Sequence, residues 1–486
     1  MLFNSHMFIF LFFPITFFIY FYLNSKRLTS AGIAFLVFAS LFFYSWWNIL
    51  YLPLILSSIL FNFIVGTYLS KHQYVIKKKT LLIFGISANI ALLGYFKYTV
   101  FFLDNFNGIF GASIPLPHII LPLGISFFTF TQIAYLVDCY KDKVKEYDFI
   151  RYALFVTYFP HLLAGPILHH SEMMPQFANL RNKTKNYRNI AMGLFLFSIG
   201  LFKKVVIADT FAIWANAGFD TATVLSFFEA WATSLSYTFQ LYFDFSGYTD
   251  MAIGISLMFN IKLPINFNSP YKALDIQDFW RRWHMTLSRF LRDYIYIPLG
   301  GNRQGEFRTY INLFTTFLLG GLWHGAGWTF IFWGTLHGLA LMIHRAWKSF
   351  GFSMNRYLAW FITFNFVNLT WIFFRAKEWS DAIKVISGLI GFNNIVLPEI
   401  FSYKLAFLNN IGITFGKVTN NINPLDKNSI LLWTVSGFLL ILFFNNSIEK
   451  SKKLQFNHQN LFFTLISFLY CILILNNITE FLYFNF

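Results

Sequence analysis

The chain has 486 residues and a net charge of +16, and it is 57% hydrophobic and 22% aromatic but only 12% charged, with a mean hydropathy of +0.54. A water-soluble domain carries roughly a quarter charged residues, so this composition excludes one and places the chain in a bilayer. The excess of Lys and Arg does not signal nucleic acid, because it falls in short loops between apolar runs, as at Lys77–Lys79, Lys141–Arg151, Arg281–Arg308 and Lys450–Lys453.

Apolar runs long enough to span, about 17–25 residues, predict helices near 4–23, 31–50, 51–70, 81–103, 119–138, 150–168, 189–219, 223–260 (one or two crossings), 310–343 (two), 356–375, 430–446 and 460–478. The reading is all-α: a polytopic integral membrane protein of roughly eleven to thirteen transmembrane or re-entrant helices, in one membrane domain over 1–486. The first run lacks a basic leader and a small-residue cleavage site, so it is read as a helix rather than a signal peptide. Basic short loops mark the cytoplasmic face. With Lys450–Lys453 inside, the last run carries the C-terminal segment outward. Cys139 and Cys471 offer neither a disulfide framework nor a CxxC pair and read as small buried hydrophobes. The polar stretch 377–429 reads as an external loop with a short amphipathic or re-entrant piece.

Unusual chemistry begins in the run that ends near residue 260. Asp244 and Asp250 sit where a charge costs about 2.5–3.5 kcal/mol at the centre of a span, so each needs a partner or a water-filled cavity. Pairing of Asp244 with Arg281 or Arg282 would lock helices together. "PINFNSPY" is a Pro- and Asn-rich turn that marks exit from the membrane. In the following "DIQDFWRRWHMTLSRFLRDYIYIPLGG", Trp280, Trp283, Leu287, Phe290 and Leu291 form one apolar helical face, while Arg281, Arg282, Arg289 and Arg292 remain for solvent or anions. This is an interfacial pattern. It suits docking on anionic membrane lipid, and it equally suits a guanidinium cluster receiving the phosphates of a nucleotide-bearing molecule.

The stretch "LLGGLWHGAGWTFIFWGTLHG" then places His324 and His337 among glycines and tryptophans at membrane depth. Broken backbone is tolerated there only where protein or a water-filled cavity surrounds it, and an intramembrane ionisable residue is a functional candidate. His324 carries that reading most strongly, His284 shares it, and His337 reads as structural. His161, His169 and His170 in "FPHLLAGPILHH" lack an acidic or Cys partner at usable spacing, so no metal site is expected. No GxSxG elbow, Walker loop or HExxH appears. A neutral imidazole serves as acid–base for acyl transfer, and an Arg cluster at a tunnel mouth fits a phosphate-bearing thioester donor.

Several long blocks, in order, carry a resemblance: "PLGISFFTFTQIAYLVDCYKD", "YFPHLLAGPILH", "LYFDFSGYTDMAIGISLMFNIKLPINFNSPY", "DFWRRWHMTLSRFLRDYIYIPLGGNRQG" and "LGGLWHGAGWTFIFWGTLHG". With these the chain resembles the membrane-bound O-acyltransferases, in the bacterial branch typified by alginate, peptidoglycan and cellulose O-acetyltransferases. The resemblance covers nearly the whole chain, with core motifs in 119–345, and implies a helical fold around a central tunnel. It implies that His324 is the signature catalytic histidine and that His284 is the second polar position. It also implies that Arg281, Arg282, Arg289, Arg292, Trp283 and Trp323 contribute to binding acetyl-CoA, an acyl donor from the cytoplasm rather than a permanent cofactor. A bacterial inner-membrane location, a polysaccharide acceptor and a periplasmic SGNH-type transferase or esterase partner follow from the same resemblance. Gly327 stands where relatives often have Ser. The tail 479–486, "ITEFLYFNF" with the residue before it, resembles the aromatic motif of the peptide that carries the acyl group in teichoic-acid D-alanylation. That makes Tyr483 an expected acyl acceptor, against a plain interfacial anchor.

Competing readings are acyl transfer to a lipid or protein, transfer from a carrier-protein thioester, a transporter, or a scaffold for a periplasmic transferase. A transporter is expected to show internal repeats or paired broken helices, and neither is visible in the sequence.

Overall fold

The computed structural model describes residues 1–71, 77–146, 148–419, 421–422, 429–475, 479 and 481–482. Among these, five helices are long and apolar enough to cross a bilayer: α1 (Met7–Ser25), α3 (Ile49–Ser70), α4 (Lys78–Phe110), α8 (Tyr187–Thr221) and α14 (Arg356–Arg375). Shorter apolar helices are α2 (Thr29–Ser45), α16 (Ser429–Phe443) and α18 (His458–Ile474). The remaining helices are α5 (Ile125–Tyr140), α6 (Phe149–Thr157), α7 (His170–Ala178), α9 (Phe227–Met258), α10 (Ile276–Arg282), α11 (Met285–Leu291), α12 (Glu306–His324), α13 (Trp328–Ser349), α15 (Trp379–Leu389) and α17 (Ser447–Lys452).

Two expected runs resolve in different ways. The run 223–260 is a single helix, α9, of 32 residues. At 1.5 Å per residue it is about 48 Å long. A capping box of Ser226 and Glu229 fixes its start. The run 150–168 is not one span. α6 ends at Thr157, a single turn follows at Phe159–Leu162, and the chain is then non-helical up to His169. Pro160 opens that turn, and proline cannot donate to a continuing helix.

Burial centres on α9, most of whose side chains are buried. It packs against α8 through glycines: a Cβ at Gly200 would lie 2.6 Å from the Gly247 carbonyl, and one at Gly254 would lie 2.6 Å from that of Gly193. Small residues allow such backbone approach between membrane helices. The closeness brings buried charges together. Lys204 Nζ lies 2.7 Å from Asp244 and 2.9 Å from Asp209, and Lys203 Nζ lies 2.6 Å from Asp250. The expected pairing of Asp244 with Arg281 or Arg282 is therefore wrong: α8 is the neighbour of Asp244, and Arg282 instead binds Asp278 at 2.9 Å.

The polar stretch after α14 contains the amphipathic α15 and two short strands, Ile395–Pro398 and Ile413–Gly416, paired in parallel. Cys139 and Cys471 are buried and unbridged.

Candidate active site

The sequence pattern reads the residues from Trp280 to Arg292 as one interfacial helix, but the structure breaks it. α10 stops at Arg282, and His284 takes a left-handed backbone (φ 42°, ψ 53°) before α11 begins. That conformation is rare for a residue with a Cβ, and Asn266 holds it. The Met285 N–H donates to the Asn266 carbonyl at 3.0 Å. The Thr286 N–H and hydroxyl both donate to Asn266 Oδ1, at 3.2 and 2.9 Å. The same oxygen lies 3.1 Å from His284 Nδ1. Since Oδ1 accepts, Nδ1 carries the proton and the lone pair of the neutral ring is on Nε2. "PINFNSPY" is thus more than an exit turn, and Asn266, buried to 1% exposure, is a site residue that turn chemistry alone did not reveal.

His324 is the last residue of α12. The chain then runs extended through Gly325 (φ −158°) and Gly327 (φ −165°) into α13. Close helix crossing brings the two arms together: a Cβ at Gly334 would lie 2.5 Å from the Phe317 carbonyl. The buried His324 ring is walled by Trp323 at 4.9 Å, Phe374 at 5.0 Å and Trp333 at 5.1 Å. Trp323 also faces His284, with ring centroids 6.4 Å apart. The two histidines therefore share one aromatic wall, although they lie on elements far apart in the chain.

His337 has a different environment. Its Nδ1 accepts from Trp280 Nε1 at 3.2 Å, so its protonated Nε2 donates to the Thr370 hydroxyl at 3.1 Å. Both ring nitrogens serve packing between α10, α13 and α14. His169 and His170 do find acids, contrary to the reading from local spacing. Asp138 lies 4.0 Å from His169 and Glu146 lies 3.5 Å from His170. The chain around the end of α5 folds back to supply both.

A cavity of about 830 Å³ lies between α10, α11, α12 and α13. Arg281, Arg289 and Arg292 line it, joined by His344, Arg345 and Lys348 from α13, which the sequence reading missed. Arg282 is not among its lining residues, because its guanidinium is turned to Asp278 and the Asn268 carbonyl. Arg289 pairs with Glu172, Arg292 with Asp293, and Arg345 with Glu306, each at 2.7 Å. Arg281 makes no ion pair among the described residues. The inner wall includes Trp280 and Phe317, and Trp280 abuts Trp333 at 5.8 Å, the ring that touches His324. Trp283 is not among the cavity's lining residues; it stacks on Phe279 and lies tilted against Trp371.

A model of the membrane-bound O-acyltransferase family matches residues 2–377. The chain belongs to that family. It is 56% identical over 441 residues to a peptidoglycan O-acetyltransferase of Helicobacter pylori, covering 85% of this chain and 84% of that one. It is 42% identical over 407 residues to a probable alginate O-acetylase of Pseudomonas aeruginosa, covering 82% and 77%. A teichoic acid D-alanyltransferase of Bacillus subtilis is 28% identical over 288 residues, covering 54% and 72%. This acyltransferase is therefore a multi-pass membrane protein whose His324, His284 and cationic cavity all fall within the matched region.

Its tail enters the bundle. The Leu482 N–H donates to Asp244 Oδ2 at 3.0 Å, the Thr479 hydroxyl donates to Asp209 Oδ2 at 2.8 Å, and Asn4 donates to the Thr479 carbonyl at 3.2 Å. Phe481 is 1% exposed, edge-on to Tyr248 at 4.3 Å and under Lys204 at 5.2 Å. Tyr483 itself lies outside the described residues.

Proposed function

We propose that this enzyme moves an acetyl group from cytoplasmic acetyl-CoA, across the bacterial inner membrane, for O-acetylation of a cell-wall or secreted polysaccharide, with peptidoglycan first. The observation that carries this reading is the cationic cavity lined by Trp280, whose ring abuts Trp333, which in turn touches the His324 ring. A cleft of several hundred Å³ suits a small-molecule donor. Arginine forks suit its pyrophosphate and 3′-phosphate, with Arg281 the guanidinium not already committed to an acid. The 56% identity to a peptidoglycan O-acetyltransferase supports the acceptor class.

In this reading His324 is the acid–base catalyst, and His284, its proton fixed on Nδ1 by Asn266, is its partner across Trp323. Tyr483 is the relay. His324 takes the phenol proton, and the phenolate oxygen bonds to the thioester carbonyl carbon. The carbon–sulfur bond breaks, and the CoA sulfur leaves with the proton from His324. The resulting aryl ester is a reactive donor, because phenol, with pKa about 10, is a better leaving group than an alkyl alcohol. A glycan hydroxyl, or a serine of a periplasmic SGNH-type partner, collects the acetyl group. The seat of Thr479, Phe481 and Leu482 against α8 and α9 supports a tail directed inward rather than anchored at the lipid interface. Intact-mass analysis after incubation with acetyl-CoA is expected to find one added acetyl near the C-terminus, absent in Tyr483→Phe. Full export of acetyl by folded Tyr483→Phe would reduce the tail to an anchor.

A further inference from the structure

The last turn of α12 leaves backbone carbonyls without partners inside the helix, as every helix C-terminus does. Here they lie deep in the bundle, where an unmet acceptor is costly. Two adjacent residues of α4 satisfy three of them in succession. The Tyr98 hydroxyl donates to the Leu322 carbonyl at 2.7 Å, and Lys97 Nζ donates to the carbonyls of Trp323 at 2.6 Å and His324 at 2.9 Å. The ammonium also lies 5.9 Å from the centre of the Trp323 ring.

The geometry that brings both side chains to one helix end is not regular. Gly94–Tyr98 forms a π-helical turn within α4, and such turns concentrate at functional sites. A lysine beside a helix C-terminus also complements the negative end of the dipole. Ordinary capping would need neither a half-buried lysine nor the π turn, because a Gly or Asn ending serves at roughly a third to a half of helix ends. α12 has no such ending, since Gly325 continues extended.

We propose that Lys97 is a positioning residue for the acyl-transfer step, with Tyr98 as its support. Lys97 fixes the backbone of Trp323 and His324 from across the bundle, and so sets the direction of the His324 ring and of the Trp323 wall shared with His284. A lysine suits the place because its one amine donates to two adjacent carbonyls at once. Neither Lys97 nor Tyr98 lines the cationic cavity, so donor binding does not depend on them. The proposal rests on His324 being the acid–base group.

The test measures kcat, KM for acetyl-CoA and thermal unfolding for purified full-length Lys97→Met, Lys97→Arg and Tyr98→Phe. Lys97→Met is expected to lose about 30-fold in kcat, the scale of losing charge-assisted hydrogen bonds. Its KM should stay within about twofold, as for an interaction that matters in the transition state and not in binding. Lys97→Arg, which keeps two donors and the charge, should recover most of kcat, and Tyr98→Phe should fall between them and the wild type. If Lys97→Met does not fold, the comparison of Lys97→Arg with Lys97→Gln carries the same reading. Unchanged kcat in folded Lys97→Met or Lys97→Gln, or a loss in KM alone, would overturn the positioning role. His324→Ala separates the two claims: activity there would sink the acid–base assignment, whereas an inactive His324→Ala beside an unimpaired Lys97→Met would sink only the role of Lys97.

Discussion

Two regions of this bundle bury polar groups at membrane depth, and they do it in opposite ways. Between α8 and α9 the charges close on one another: Lys203 on Asp250, and Lys204 on Asp244 and Asp209, across a seam of facing glycines. Around His324 the polar group sits at a broken helix end and is walled by aromatic rings, with Trp333 packed between it and Trp280 of the cationic cavity. The first arrangement satisfies its charges internally and ties helices together. The second places an imidazole at a junction of three helices, among aromatic rings. Burial of a titratable residue in a membrane protein therefore does not by itself mark chemistry. Its partners and backbone do.

The sharpest way to separate the two regions is to remove one residue from each. His324→Ala should lower acetyl transfer by about 10²–10⁴ per folded molecule, the usual contribution of a positioned acid–base group, beyond whatever stability the lost ring packing costs. Lys203→Met should do the reverse. It leaves Asp250, 4% exposed, as an uncompensated buried charge, at a cost of about 3–5 kcal/mol. Yield and unfolding temperature should fall while turnover per folded molecule holds. Equal behaviour of the two variants in both assays would erase the distinction.

Lys204 sharpens the comparison, because its partners Asp244 and Asp209 also receive the tail. Lys204→Met should lose stability like Lys203→Met, and in addition lose acetylation of the tail as read by intact mass. Retained tail acetylation in the folded fraction would mean that the triad is only a structural tie.

A smaller effect distinguishes two neighbouring arginines. Arg281→Gln should raise the KM for acetyl-CoA by about tenfold, the scale of one charge-assisted hydrogen bond. Arg282→Gln should change it little, since Arg282 is turned to Asp278 and away from the cavity. Equal rises would place the donor phosphates elsewhere.

What the sequence makes legible here is local. The glycines around His324 announce a broken helix because Gly325 and Gly327 are adjacent to the residue they free, and the apolar runs announce the spans. Asp244 illustrates the limit. Its need for a counter-charge is readable from hydropathy, but which cation lies beside it depends on the glycine-tight packing of α8 on α9, and nothing in the local pattern names Lys204. Lys97 is less legible still: it sits in an apolar run as an isolated cation, and its partners are 226 and 227 residues away. The single interfacial helix expected from Trp280 to Arg292 fails for a related reason. Its apolar spacing is truly helical, but Asn266, reached from 18 residues upstream, pulls His284 out of the helix.

The most direct test of the central claim uses sealed membrane vesicles of defined orientation, with labelled acetyl-CoA supplied to one face and a polysaccharide acceptor to the other. Acetyl should reach the acceptor only when acetyl-CoA meets the face carrying Arg281 and Arg292, and His324→Ala vesicles should transfer at least about 100-fold less. Transfer from acetyl-CoA supplied to the opposite face, or undiminished transfer by His324→Ala, would contradict the account.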